Sequence, residues 1–112
     1  MTGLKVLFTL ILLAMLAVTT IASFDRGVFE AGADLWADPW FRATLADAYF
    51  GFIAVFVWIA YKETSWARRA LWFILLMALG NIAIAIYLLI QLFRLPPTAT
   101  MEDLLLRQGT DR

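Results

Sequence analysis

Residues 70–93 read ALWFILLMALGNIAIAIYLLIQLF, twenty-four positions without a charge. At ~1.5 Å per residue this is ~36 Å of α-helix, enough to cross the ~30 Å hydrocarbon core of a bilayer with some tilt. The chain has 112 residues, 63% of them hydrophobic and 16% charged. That leaves too little polar material to cover the surface of a soluble domain of this size. The stretch is therefore read as a membrane-spanning helix with Gly80-Asn81 near its middle.

Working outward, the residues before it, KETSWARR at 62–69, form a tight basic turn in which Thr64 or Ser65 is a plausible N-cap. Upstream of the turn, residues 39–61 make a second span. Asp38-Pro39 is its start signal, because Asp accepts from free N–H groups and Pro is preset for the first helical position. Arg42 lies within a turn of that end and can reach the interface, whereas Asp47 lies ~12 Å along the helix and cannot do so as easily. Residues 6–24 hold nineteen positions without a charge and make the first span, an uncleaved anchor. Between the first two spans, Asp25 to Asp38 carries four acidic residues and one Arg and reads as a surface loop with its aromatics in the headgroups. After the third span, Pro96-Pro97 begins a polar tail in which residues 101–108, capped by Thr100, suit a short amphipathic helix on the membrane surface.

The fold class expected is thus all-α and integral to the membrane. It is a single membrane domain over 1–112, with three transmembrane helices at about 5–24, 39–61 and 67–94, a polar tail at 95–112, and a short C-terminal amphipathic helix within that tail. Lys5 and the cluster Lys62, Arg68 and Arg69 fall on one side of such a bundle, and the acidic loop falls on the other, together with Arg42 and Arg94. The excess of Lys and Arg predicts a cytoplasmic N-terminus and, with three crossings, a C-terminus outside. Lys62, Arg68 and Arg69 read as a topology signal and a contact for anionic lipids, and Arg42 and Arg94 as interfacial side chains.

Composition also narrows the chemistry. Nine Lys and Arg balance nine Asp and Glu, so no basic field exists to hold nucleic acid. With neither Cys nor His, the chain has no thiolate nucleophile, disulfide, usual zinc site or Ser-His-Asp triad, and no catalytic constellation is visible. The sequence names no cofactor. The residue that stands out is Asp47, since an Asp near the bilayer centre costs roughly 2.5 to 3.5 kcal/mol on insertion scales. On a helical wheel it shares a face with Ala43, Gly51 and Ala54, a small-residue stripe that admits another helix, so Asp47 is expected to point into the bundle. Asn81 is the expected partner at similar depth, with Tyr87 and Thr20 extending an intramembrane polar cluster. Interhelical hydrogen bonding is the plainer reading of that cluster, and a proton or ion role the alternative.

The segments DPWFRATLADAYFGF, VWIAYKETSWARRALWF, GNIAIAIYLLIQLFRLPP and EDLLLR, spread over residues 38–107, together resemble a family of small bacterial membrane proteins classed as a domain of unknown function, with relatives in photosynthetic organisms. The positions that carry the likeness include Pro39, Trp40, Asp47, Tyr49, Gly51, Trp58, Lys62, Gly80, Asn81, Tyr87 and Arg94. The resemblance implies a three-helix architecture and no reaction. Two functions from different classes follow as expectations. The first is a structural or accessory subunit of the bacterial inner membrane, working by helix packing as a homo-oligomer or in a larger membrane complex. The second is a binder of a small apolar ligand such as a carotenoid, quinone or lipid, with an oligomeric proton or ion pathway through Asp47 behind it.

Overall fold

A computed structural model describes residues 2–107, in which every regular element is helical. The order is α1 Thr2–Asp25, α2 Val28–Leu35, α3 Pro39–Lys62, α4 Trp66–Leu79, α5 Asn81–Arg94 and α6 Met101–Leu105. Two of these, α1 and α3, are 24 residues long and apolar enough to cross a membrane. Gln108 and Arg112 of the expected tail lie outside the described residues.

The start signals act as read. The Asp38 carboxylate accepts from the Trp40 N–H at 3.0 Å with Pro39 in the first turn, and the Ser65 hydroxyl accepts from the Arg68 N–H at 3.5 Å. At α6 the Asp103 carboxylate accepts from the Thr100 N–H at 2.9 Å, the returning half of a capping box. The expected acidic loop differs. It contains α2, an eight-residue helix steadied by an Arg26–Asp34 ion pair at 2.6 Å that is solvent-exposed and so adds little stability. Phe29 is 90% exposed on it, in keeping with aromatics that meet headgroups.

The larger correction concerns residues 67–94, which are two helices of 14 residues each and not one span. The break is Gly80, whose φ of +57° and ψ of −122° lie where only glycine is comfortable. Beyond it the chain turns back. The Trp72 and Tyr87 rings meet edge to face with centroids 4.9 Å apart, whereas one continuous helix would hold them ~22 Å apart. So α4 and α5 form a helical hairpin that enters and leaves at the same end. Its tip sits against the middle of α3: the Phe52 ring would be 2.6 Å from a Cβ on Gly80, and the Tyr49 hydroxyl donates to the Met77 carbonyl at 2.9 Å.

The core lies where α3 meets this hairpin, with Ile59, Leu76, Ala83 and Tyr87 all 1% exposed or less. Trp58 and Trp72 close on Tyr87 edge to face. Helix α1 buries none of its own residues and lies along α5, with Lys5 Nζ 4.8 Å from the centre of the Phe93 ring. The C-terminal segment docks on the end of α3: Trp58 Nε1 donates to the Leu105 carbonyl at 2.8 Å, Arg107 Nε to the Tyr61 carbonyl at 2.7 Å, and Lys62 Nζ to the Leu104 carbonyl. Lys5, Lys62, Arg68, Arg69, Arg94 and Arg107 therefore gather at one end of a molecule 50 Å long, with Glu63, Glu102 and Asp103 among them. The opposite end holds Asp25, Glu30, Asp34 and Asp38 with Arg26 and Arg42. Arg94 thus sits opposite the acidic end where a continuous third span would put it, and the chain through Arg107 returns to the end that holds Lys5.

Candidate functional site

Helix α3 turns two unlike faces outward and inward. Phe52, Val55, Phe56 and Ile59 point to the hairpin and are half-buried or buried. Ala43, Asp47, Gly51 and Ala54 fall on the opposite side of the wheel, and all four are exposed. A Cβ on Gly51 would meet nothing within 4 Å. The small-residue stripe is thus real as a stripe, but it faces away from the chain's own core. The reason is steric: the hairpin is wide and aromatic, and it takes the face of α3 that offers large side chains to interlock with Trp72, Leu76 and Tyr87.

The expected polar cluster does not assemble around Asp47. Its carboxylate makes no hydrogen bond to Asn81, which is itself exposed just past the hairpin tip. Thr20 is exposed on α1, while Ser23 beside it donates back to the Thr19 carbonyl at 2.8 Å, the ordinary local outcome for a hydroxyl in an apolar helix. Tyr87 is 1% exposed and lies in the basic half of the molecule, enclosed by Trp58 and Trp72. Depth alone brings Asp47 and Asn81 to one level; facing does not bring them together.

The cations divide by task. Arg69 Nε donates to the Ala60 and Glu63 carbonyls at 2.9 and 3.0 Å, closing the end of α3, and its guanidinium lies 4.7 Å over the Trp66 ring. Such donation satisfies terminal carbonyls that the helix itself leaves open. Lys62 is 6% exposed and ties α3 to the C-terminal segment, a role that spacing in the sequence does not reveal. Arg42 lies 5.9 Å from the centre of the Trp36 ring at the acidic end, a cation–π contact. Arg68 and Arg94 project exposed at the basic end.

One site with a feature still unmatched inside the chain is accordingly the outward stripe of α3. It sets one carboxylate, ~12 Å inside the helix, among side chains small enough for another backbone to come close. No group of three or more Asp or Glu that would hold a metal occurs among the described residues. No curated protein and no solved structure matches the chain. A family model described as a protein of unknown function (DUF1475) matches residues 2–110. Since that match spans nearly the whole length, the chain belongs to the DUF1475 family.

Proposed function

We propose that this protein is a non-enzymatic subunit of the bacterial inner membrane that works through helix packing, and that a second copy of the chain occupies the outward face of α3. The observation that carries the reading is the exposure of Asp47 on that face, between Ala43 and Gly51 at spacings of four. Against lipid tails the carboxyl has no partner, and insertion costs of roughly 2.5 to 3.5 kcal/mol at the bilayer centre favour any arrangement that supplies one. Two copies related by a two-fold axis bring each residue of the stripe to its own equivalent. Across such an axis each Asp47 side chain meets a polar group where lipid tails offer none. Small residues above and below it allow the close approach that drives association in lipid.

Orientation follows from the charges. Among the described residues, six Lys and Arg at the end that holds Lys5, against two at the other, favour a cytoplasmic basic end, with the acidic end outside. With α1 and α3 crossing and the hairpin returning, both the N-terminal and C-terminal segments stand on the cytoplasmic side.

Single-cysteine crosslinking from Ala54 in native membranes tests the dimer, because the chain has no Cys of its own. A band at twice the chain mass is expected. Asp47→Leu is expected to weaken the dimer about 3- to 18-fold, corresponding to ~0.6–1.7 kcal/mol for a hydrogen bond between membrane helices. Asp47→Asn, which keeps donor and acceptor, leaves the dimer intact. Monomer bands alone, or an adduct only to another protein, would overturn the second copy as occupant.

A further inference from the structure

At the basic end the hairpin opens into a recess between the start of α4 and the end of α5. Its outer part, about 390 Å3, is bordered by Lys62, Glu63, Arg68, Gln91 and Arg94. An inner part of about 170 Å3 shares Glu63, Arg68, Gln91 and Arg94 and reaches Trp72 and Tyr87.

Two independent features of this recess go unanswered within the chain. The first is charge. Among the described residues the one ion pair is Arg26–Asp34 at the far end, so neither Arg68 nor Arg94 has a carboxylate within 4.0 Å. The two guanidinium groups against the Glu63 carboxylate leave the recess one charge positive before Lys62 is counted. The second is the floor. The Tyr87 hydroxyl is buried with no hydrogen-bond partner, and the Gln91 side chain, 9% exposed, lines the recess beside it. Leaving a buried polar group unmatched costs about 1–3 kcal/mol, which a bound acceptor would recover.

We infer that the recess binds a phosphate group, with the Arg68 and Arg94 guanidinium forks on its walls and the Tyr87 O–H and Gln91 N–H donating from its floor. Several acceptor oxygens spread in three dimensions suit donors that converge from two walls and a floor, where a planar carboxylate would leave some of them idle. Arg68 is the third residue of α4 and Arg94 the last of α5, so both stand within a turn of the helix ends, at headgroup depth. Below them Leu71, Trp72 and Ile90 form an apolar wall fit for an acyl chain. The inference rests on the membrane reading and is independent of the dimer.

The test is native mass spectrometry of the full chain released from nanodiscs that hold phosphatidylglycerol and phosphatidylcholine in equal amounts. Wild type is expected to retain the phosphatidylglycerol about five- to ten-fold better, as charge-assisted bonds to two forks should give. Arg68→Gln with Arg94→Gln should bring that preference to about two-fold or less, and Tyr87→Phe should lower the retention of both lipids about three-fold, the loss of one donor to the phosphate they share. Arg42→Gln, at the opposite end, should leave it unchanged. Displacement by millimolar glycerol 3-phosphate would mark a soluble phosphate as the natural source, and resistance to it would mark a lipid. A wild-type preference near one overturns the inference whatever the variants do, and so does equal retention of oleate. Failure of the chain to enter nanodiscs at all would instead strike the membrane reading.

Discussion

Gly80 decides more than any other residue in the chain. Its φ of +57° with ψ of −122° is closed to residues that carry a Cβ, and a Cβ built there would lie 2.6 Å from the Phe52 ring. Gly80→Ala therefore meets backbone strain and a clash together, and about 3 kcal/mol or more of destabilisation is expected. Detergent-titrated unfolding of the purified protein measures it, and an unchanged midpoint would contradict the account. In the sequence this glycine looks ordinary, since isolated glycines are common in membrane helices. Asp47 was easier to notice and harder to place. Its cost in lipid is evident from its type and position, but its direction depends on which face of α3 the hairpin occupies, and that is set by Phe52, Phe56 and Ile59.

At the scale of the elements, a hairpin whose tip lies against the middle of an apolar helix must find partners for its backbone groups there, and under the proposed membrane placement no water reaches them. The Gly80 N–H bonds the Leu76 carbonyl at 2.8 Å, and the Met77 carbonyl receives the Tyr49 hydroxyl from α3. Tyr49→Phe strips that donor while keeping the ring against Phe52, so a loss of about 1–2 kcal/mol is expected. The same unfolding titration reads it, and a variant as stable as wild type would show that the Met77 carbonyl needs no partner. The long apolar helices α1 and α3, and the caps at Asp38 and Ser65, are legible in the sequence because they depend on neighbours along the chain. The hairpin is not, since a pair of 14-residue apolar helices and one long span have the same hydropathy.

Across the whole molecule, the return of α5 makes the count of crossings even in place of odd under the proposed membrane placement. Fluorescent-protein fusions at either terminus should both glow in the cytoplasm, and a phosphatase joined after Gly32, in α2, should be active outside. A glowing N-terminal fusion with a dark C-terminal one would restore three crossings. The even count also removes a tension in the charges, because Arg94 and Arg107 join Lys5, Lys62, Arg68 and Arg69 in place of opposing them. What the amino-acid order determined alone is the helical character, two helices long and apolar enough to cross a membrane, the caps at Asp38 and Ser65 and the asymmetry of charge, because hydropathy and capping are local sums over a turn or a helix. What only the tertiary structure decided is the return at Gly80, the outward facing of Asp47, and the meeting of Arg68, Gln91 and Arg94 around the Tyr87 hydroxyl. Each of these depends on a ring or carbonyl some twenty or more residues away, such as Phe52 against Gly80, and on a dihedral angle that hydropathy does not register.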